Sequence, residues 1–461
     1  MASQPVTNPV NADPLSITRP TPNERPEWNL SNGAQPILWS LIFCFTCLLI
    51  VSFPTQINRW TGMAILFAAA YGAWQTSDNL SPDDTLNEVY TRYILIGSSH
   101  LLSMTYQNDG RKDVPNHLDH RDVRADWNPW YRGWKNLFNI RGVGTPWENP
   151  FLWPGIKHTW DAPKPADSPS VTRSTDKKDE GKPRARHDLT SRGRFAGVAI
   201  RLVYILVNFF LLAAHYEFLD GDAYFQTTPA DFTPEKEGIL RRLFQTYALG
   251  SNPSTPVHLR EVQIRVWQAW ESIVNDYLLL SLYHDVCAVV FISLGLDESW
   301  EWPPFFGQIT KAWTMRRFWN MFWHRVIYRS FSRHASTISN KVLGIPPRTQ
   351  LARYVDAFLV FGLSAVMHAL VTARMGNKCA WIRSMLYWLM QPVAFALEAL
   401  VQRVWMASGA RRKMEKVVGG RRGWLVEGFE RGVGFFWVLA WLVWEAPKRS
   451  FPLLSCSANN N

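Results

Sequence analysis

Cysteine is scarce, with five in 461 residues. That scarcity excludes a disulfide-stapled secreted scaffold. Cys44 and Cys47 form a CxxC, but they lie in an apolar run with no second pair, so no zinc site is expected. The 11 histidines contain no HxxxH or HxxHH cluster, so the imidazoles that a membrane di-iron centre needs do not converge. Metal is therefore expected nowhere in the chain. No P-loop, GxSxG elbow or Rossmann glycine pattern occurs, which sets aside nucleotide-dependent kinases, α/β-hydrolases and dinucleotide enzymes. Acidic residues are in deficit, 38 against 49 Lys and Arg, a net charge of +11. The basic clusters sit beside apolar runs, as loops on the inner side of a membrane protein do, and nucleic acid is not an expected partner.

What is abundant is aromatic. Phe, Trp and Tyr make up 14% of the chain, with 24 tryptophans among them. Rings with one apolar and one wet end suit membrane interfaces. Mean hydropathy is slightly negative only because long polar stretches alternate with oily ones. Ile37–Phe53 carries no charge and is just long enough to span a bilayer. Further runs lie near 61–75, 89–105, 195–215, 273–295, 354–373, 381–401 and 432–446. The fold expected is an all-α polytopic membrane protein with about eight transmembrane helices. Arg201 and Asp285 fall inside such runs and require packing partners or a polar cavity.

Loop charge orients the chain. Ten basic and six acidic residues lie in 157–194, six basic and no acidic in 311–333, and seven basic against Glu415 in 403–422. The loop 76–88 has only acids: Asp78, Asp83, Asp84 and Glu88. Eight helices put the basic loops on the cytosolic side and both termini opposite. The sequons at Asn29 and Asn79 then fall on the lumenal side as candidate glycosylation sites. Five segments result: a polar N-terminal segment 1–35 with no signal-peptide pattern, a membrane region with a cytosolic Gly/Trp block over 36–156, a disordered basic linker 157–194, a catalytic membrane region 195–446 and a tail 447–461.

Several histidines compete as chemistry. An H-x4-D spacing occurs at His117–Asp122 and again at His215–Asp220, too loose a pattern to distinguish a site from solvated loop. His284-Asp285 is either a buried pair stabilising helix packing or part of a transport path. His368 stands in the apolar run Phe358–Leu370, where burial keeps an imidazole neutral as a general base requires; the alternative is packing glue. Trp313–Arg325 is aromatic and basic, and Phe318, Trp319, Phe322 and Trp323 share one helical face with His324 beside it. It reads either as an interfacial anchor helix or as the carrier of a polar group into the membrane.

Taken together, these segments resemble the wax-synthase-like branch of the membrane-bound O-acyltransferases. Phe318-Trp319-x-x-Phe322-Trp323-His324 resembles the family's asparagine-or-histidine motif, and His368, 44 residues on, its second histidine. Glu301-Trp302-Pro303-Pro304-Phe305-Phe306-Gly307, Arg141-Gly142-Val143-Gly144-Thr145-Pro146-Trp147, Gln391-Pro392 and Glu398 match further family segments in the same order. Two departures stand out: Asn320 and Met321 replace a glycine and a basic residue, so Asn320 rivals His324, and Thr145-Pro146 replaces an aromatic.

The resemblance implies an enzyme of the endoplasmic reticulum membrane that transfers acyl groups from coenzyme A to an alcohol. Acyl-CoA would be a co-substrate, with no bound cofactor. Fungal relatives acetylate terpenoid and meroterpenoid secondary metabolites, so acetyl-CoA and an apolar hydroxylated acceptor drawn from the bilayer are expected. Wax or sterol ester synthesis from long-chain acyl-CoA is the alternative within the family, and a polytopic transporter the alternative outside it. His368 would be the base and His324 the second catalytic group, supported by Asn320, Trp319, Trp323 and Gln391. Arg141, Arg316, Arg317 and Arg325 would attract the phosphates of the acyl-CoA.

Overall fold

In the computed structural model, the described residues are 28–54, 56–105, 128–145, 148–152, 193–218, 224–251, 255–376, 380–419 and 423–459. His117, Asp122, Asp220 and nearly all of the linker 157–194 lie outside them. The described residues form helices and no strand. The principal helices are α1 (Leu30–Ser52), α2 (Arg59–Gln75), α3 (Asp84–Thr105), α4 (Pro129–Phe138), α5 (Arg194–Phe218), α6 (Leu259–Ser293), α7 (Tyr328–Thr337), α8 (Gln350–Arg374), α9 (Gln391–Ala407) and α10 (Gly423–Asn459).

Of these, α1, α5, α6 and α8 are long and apolar enough to cross a membrane, four among the described residues against the eight expected. The other four runs are largely helical too, but 381–401 is divided between a short helix, Met385–Leu389, and α9, α2 and α9 have 17 residues each, and α3 and α10 carry charges along their length. Length and charge exclude them from a hydropathy count, and the eight-span topology is not established.

Local chemistry sets the helix ends. Asn29 caps α1 by accepting from the Asn32 amide while Asn32 returns the bond, and Thr349 caps α8 by accepting from Ala352. Gly376, at φ 87°, follows α8 in a left-handed conformation that glycine adopts without strain. Just before it, Arg374 donates to the carbonyls of Trp74 and Gln75 and pairs with Asp78 at 2.6 Å, so the end of α8 is moored to the turn between α2 and α3.

α5 presents Leu202, Leu206, Phe209 and Phe210 outward, the pattern of a lipid-facing helix. Its one mid-helix charge, Arg201, turns inward, pairing with Asp285 on α6 and donating to the Trp302 carbonyl. Both charges flagged in the sequence are thus neutralised by a neighbouring helix. A second buried pairing joins α4 to the turn after α6. There Lys135 reaches Asp297 at 2.7 Å and Glu301 at 2.6 Å, and Asp297 also accepts from the Trp302 indole at 3.0 Å. Cys44, Cys47 and Cys287 are free thiols and Cys456 is disulfide-bonded. The fifth cysteine, Cys379, lies outside the described residues.

Candidate active site

The proline-rich turn 302–307 and the aromatic segment build one wall. Gly307 donates its amide to the Phe322 carbonyl at 2.7 Å. A Cβ at Gly307 would stand 1.8 Å from the Met321 carbonyl oxygen, so only glycine permits this approach. The turn itself is clasped by Arg141, whose guanidinium donates to the Pro303 and Pro304 carbonyls at 2.9 Å and lies 3.0 Å from His284 Nε2. Glu398 holds the other end, accepting from the backbone amides of Met315 and Arg316 and from the Trp437 indole. These anchors are the motifs read from the sequence, now seen to grip one another.

The aromatic segment is not the interfacial helix that its one-faced pattern suggests. Phe318–Phe322 forms a π-helical turn, closed by the Trp323 amide donating to the Phe318 carbonyl at 2.8 Å. Phe318, Phe322 and Trp323 are buried, packed among Phe306, Phe395 and Trp441 rather than spread on a membrane surface. Such wide turns are frequent at functional sites, and a second one, Ile338–Val342, follows α7. Here Trp323 leaves the turn in an extended conformation, and His324 stands on irregular backbone next to it. Its ring stacks on Phe305 at 5.4 Å and meets Phe306 edge-on at 5.8 Å. Nδ1 is buried without a partner among the described residues. Burial among these rings pushes the His324 imidazole down to about 4, so it is neutral at pH 7. Asn320, on the π turn, is half-buried, and its side chain makes no hydrogen bond among the described residues.

His368 faces this wall from α8. Its ring lies flat on Trp388, centroids 4.1 Å apart and planes 7° from parallel. It makes no hydrogen bond among the described residues, and it is within electrostatic reach of His324, Arg92 and Arg449. Stacking occupies the face of the imidazole and leaves its nitrogen edge open. Trp388 meets Trp319 at 5.8 Å, and the Trp319 indole donates to Gln391 Oε1 at 2.9 Å. Gln391, wholly buried, is thus part of the same arrangement. Trp388 and Glu445 were missed in the sequence. Trp388 stands 20 residues beyond His368, with no spacing rule to link them. Glu445 is one charge in an apolar run, and only a polar partner on another helix gives it meaning.

The arginines expected at the acyl donor separate into two sets. Arg141 and Arg325 are buried; Arg325 donates to the Pro150 carbonyl and lies over the Tyr328 ring at 3.7 Å. Arg316 is exposed, and Arg317 stacks on Trp313 at 3.6 Å while its Nε donates to the Lys311 carbonyl. His215 is buried and stacked on Trp267 at 5.9 Å. His284 touches Arg141 and, at 3.4 Å, Asp285, so both of its nitrogens are engaged. No group of three or more potential metal ligands exists among the described residues.

A family match falls on the same segment. Residues 302–390, which contain the proline turn, the π turn and both histidines, match the "Membrane bound O-acyl transferase family". That segment is similar to the membrane-bound O-acyltransferases. Among curated relatives, "Acetyltransferase spyB" of Aspergillus fumigatus is 30% identical over 36% of this chain and 28% of its own length. "Acetyltransferase ataH" of Aspergillus terreus is 26% identical, over 55% of this chain and 79% of its own. "Acetyltransferase aurG" of Calcarisporium arbuscula is 28% identical, over 58% and 59%. The chain therefore matches between about a quarter and four fifths of the length of these relatives. No solved structure matches the chain.

Proposed function

We propose that this protein is a membrane-embedded O-acyltransferase that moves an acetyl group from acetyl-CoA to a hydroxyl of an apolar terpenoid or meroterpenoid. The observation carrying this reading is the His368 ring, stacked on Trp388 with its nitrogen edge unbonded among the described residues, inside a segment that matches the acyltransferase family. The acetyltransferase names of several fungal relatives support the choice of acyl group.

The chemistry rests on the two imidazoles. His368 accepts the proton of the acceptor hydroxyl as its oxygen attacks the thioester carbonyl. The ester C–O bond forms, the C–S bond breaks, and the proton returns from His368 to the departing thiolate. While protonated, the ring gains cation–π stabilisation from Trp388, worth about 0.5–2 kcal/mol. Neutral His324, or Asn320 beside it, donates to the carbonyl oxygen as negative charge develops there. Arg316 and Arg317 lie near the start of this wall and are the proposed contacts for the phosphates of the acyl-CoA, while Arg141 and Arg325 hold the wall in shape. The apolar acceptor enters from the bilayer, and the surrounding rings exclude the water that would hydrolyse the thioester.

The location proposed is the endoplasmic reticulum membrane with both ends of the chain lumenal. The disulfide at Cys456, near the end of α10, supports that side, since such bonds persist in oxidising compartments. Asn29 and Asn79 are the glycosylation sites proposed there.

The test uses membranes carrying matched amounts of wild type and His368→Ala, given labelled acetyl-CoA or palmitoyl-CoA. A panel of hydroxylated terpenoids, sterols and fatty alcohols supplies the acceptor. Acetyl ester formed by wild type alone is the expected result. Palmitoyl ester would turn the reading to wax or sterol esters, and acetyl transfer surviving in His368→Ala would remove His368 as the base. His324→Ala is expected to cost about one to three powers of ten in rate.

A further inference from the structure

The Gln391 amide is fully committed. Its Nε2 donates one hydrogen to Glu445 Oε2 at 2.6 Å and the other to the Tyr387 carbonyl at 2.9 Å, while Oε1 accepts from the Trp319 indole at 2.9 Å. Gln391 and Glu445 have no exposed surface at all. An amide in a buried site has two orientations that differ only in exchanging its oxygen and nitrogen. The Tyr387 carbonyl can only accept, and Glu445 Oε2 stands as a second acceptor beside it, so the two together hold the orientation that turns Oε1 toward the indole N–H. The reversed amide would set a donor against Trp319 and leave two buried N–H groups facing each other.

Two tryptophans depend on this choice. Trp319 is held directly, and Trp388 follows Tyr387, whose carbonyl the amide also grips. These are the rings that meet each other at 5.8 Å, and Trp388 carries the imidazole of His368.

We infer that Glu445 is a positioning residue for acyl transfer, acting through Gln391 to hold Trp319 and Trp388 and so the plane of the His368 ring. The inference rests on the reading of His368 as the base. It extends that reading to a carboxylate on α10 that touches neither substrate nor imidazole. A ring displaced by about 1 Å costs roughly a hundredfold in a proton transfer that depends on alignment.

The experiment measures kcat, and KM for acyl-CoA and acceptor, in purified full-length protein. Glu445→Leu removes the acceptor and is expected to lower kcat by about ten- to a hundredfold with both KM values unchanged within about twofold. Glu445→Gln keeps an acceptor oxygen and is expected to recover most of that loss. Trp319→Phe keeps the ring but deletes the indole N–H. Combined with Glu445→Leu it should lower kcat no further than Glu445→Leu alone, because both cut one chain of bonds. Phe451→Leu, also buried on α10 but packed on Phe232, controls for loss of stability. An unchanged kcat in Glu445→Leu would overturn the inference, as would additive losses with Trp319→Phe. So would an equal kcat loss in Phe451→Leu at a matched melting temperature. If Glu445→Leu does not fold, Glu445→Met, closer to glutamate in length, takes its place in the same comparison with Trp319→Phe. Activity surviving in His368→Ala would instead remove the reading of the base, whatever the Glu445 variants do.

Discussion

His284 and His368 sit in comparable sequence settings, each deep in an apolar helix, and the tertiary structure treats them oppositely. His284 is pinned at both nitrogens, by Arg141 at 3.0 Å and Asp285 at 3.4 Å, in a belt where Arg201 and Lys135 also meet carboxylates. His368 has a ring beneath its face and nothing bonded at its edge among the described residues. The lesson is that a buried histidine becomes a candidate base when the packing leaves its nitrogens open. Where both are engaged, the imidazole joins a polar clamp. The charged groups of the belt around His284 are paired with one another, and Arg141 within it holds the proline turn against which His324 stacks.

That contrast can be broken or sharpened by substitution. The largest effect is expected at His368→Ala, a loss of about two to four powers of ten in ester formation with protein level unchanged. Next comes Lys135→Met, which strands Asp297 and Glu301 and should cost about 3–5 kcal/mol of stability, read as lost folded protein in detergent. Trp388→Ala frees the imidazole that it carries; kcat should fall about ten- to a hundredfold while thermal stability falls less than in Lys135→Met. His284→Ala is the converse case: about 1–3 kcal/mol of stability lost, with activity per folded molecule held within a few-fold. Were His284→Ala to abolish turnover in a folded protein, the division between clamp and base would fail.

The smallest effect is a pH dependence. Unfolded His324 takes up a proton near 6.5, whereas in the fold burial delays this to about 4. The folded protein therefore binds fewer protons than the unfolded chain across that window, and stability falls as pH drops from 6.5 toward 4. His324→Gln should flatten that part of the melting-temperature profile. An unchanged slope would mean that other groups carry the acid sensitivity.

Composition and patterning reached a long way. Apolar runs forecast helices, and all lie largely on helices, although 381–401 is divided between Met385–Leu389 and α9 and only four helices pass on length and hydropathy. The pairing forced on Arg201 and Asp285 followed from the cost of an isolated charge in a membrane. The ordered motifs around 301–307, 318–324 and 368 marked the segment that the family comparison also finds. Local periodicity failed at 318–323. A 3.6-residue count assumes an α-helix, while the contacts of Phe318, Phe322 and Trp323 with other helices favour a wider turn.

The chain's own order of residues thus determined that its apolar runs are largely helical and that the charges inside them need partners, and it singled out His368 and His324 as candidates. Those properties come from hydration and from covalent spacing along one strand of chain. The tertiary structure alone decided that Arg141 clasps the proline turn, that Trp388 stacks on His368, and that Glu445 accepts from Gln391. Each of these is a contact between separate segments of the chain, where the nearest neighbour is set by packing and by the pairing of buried polar groups.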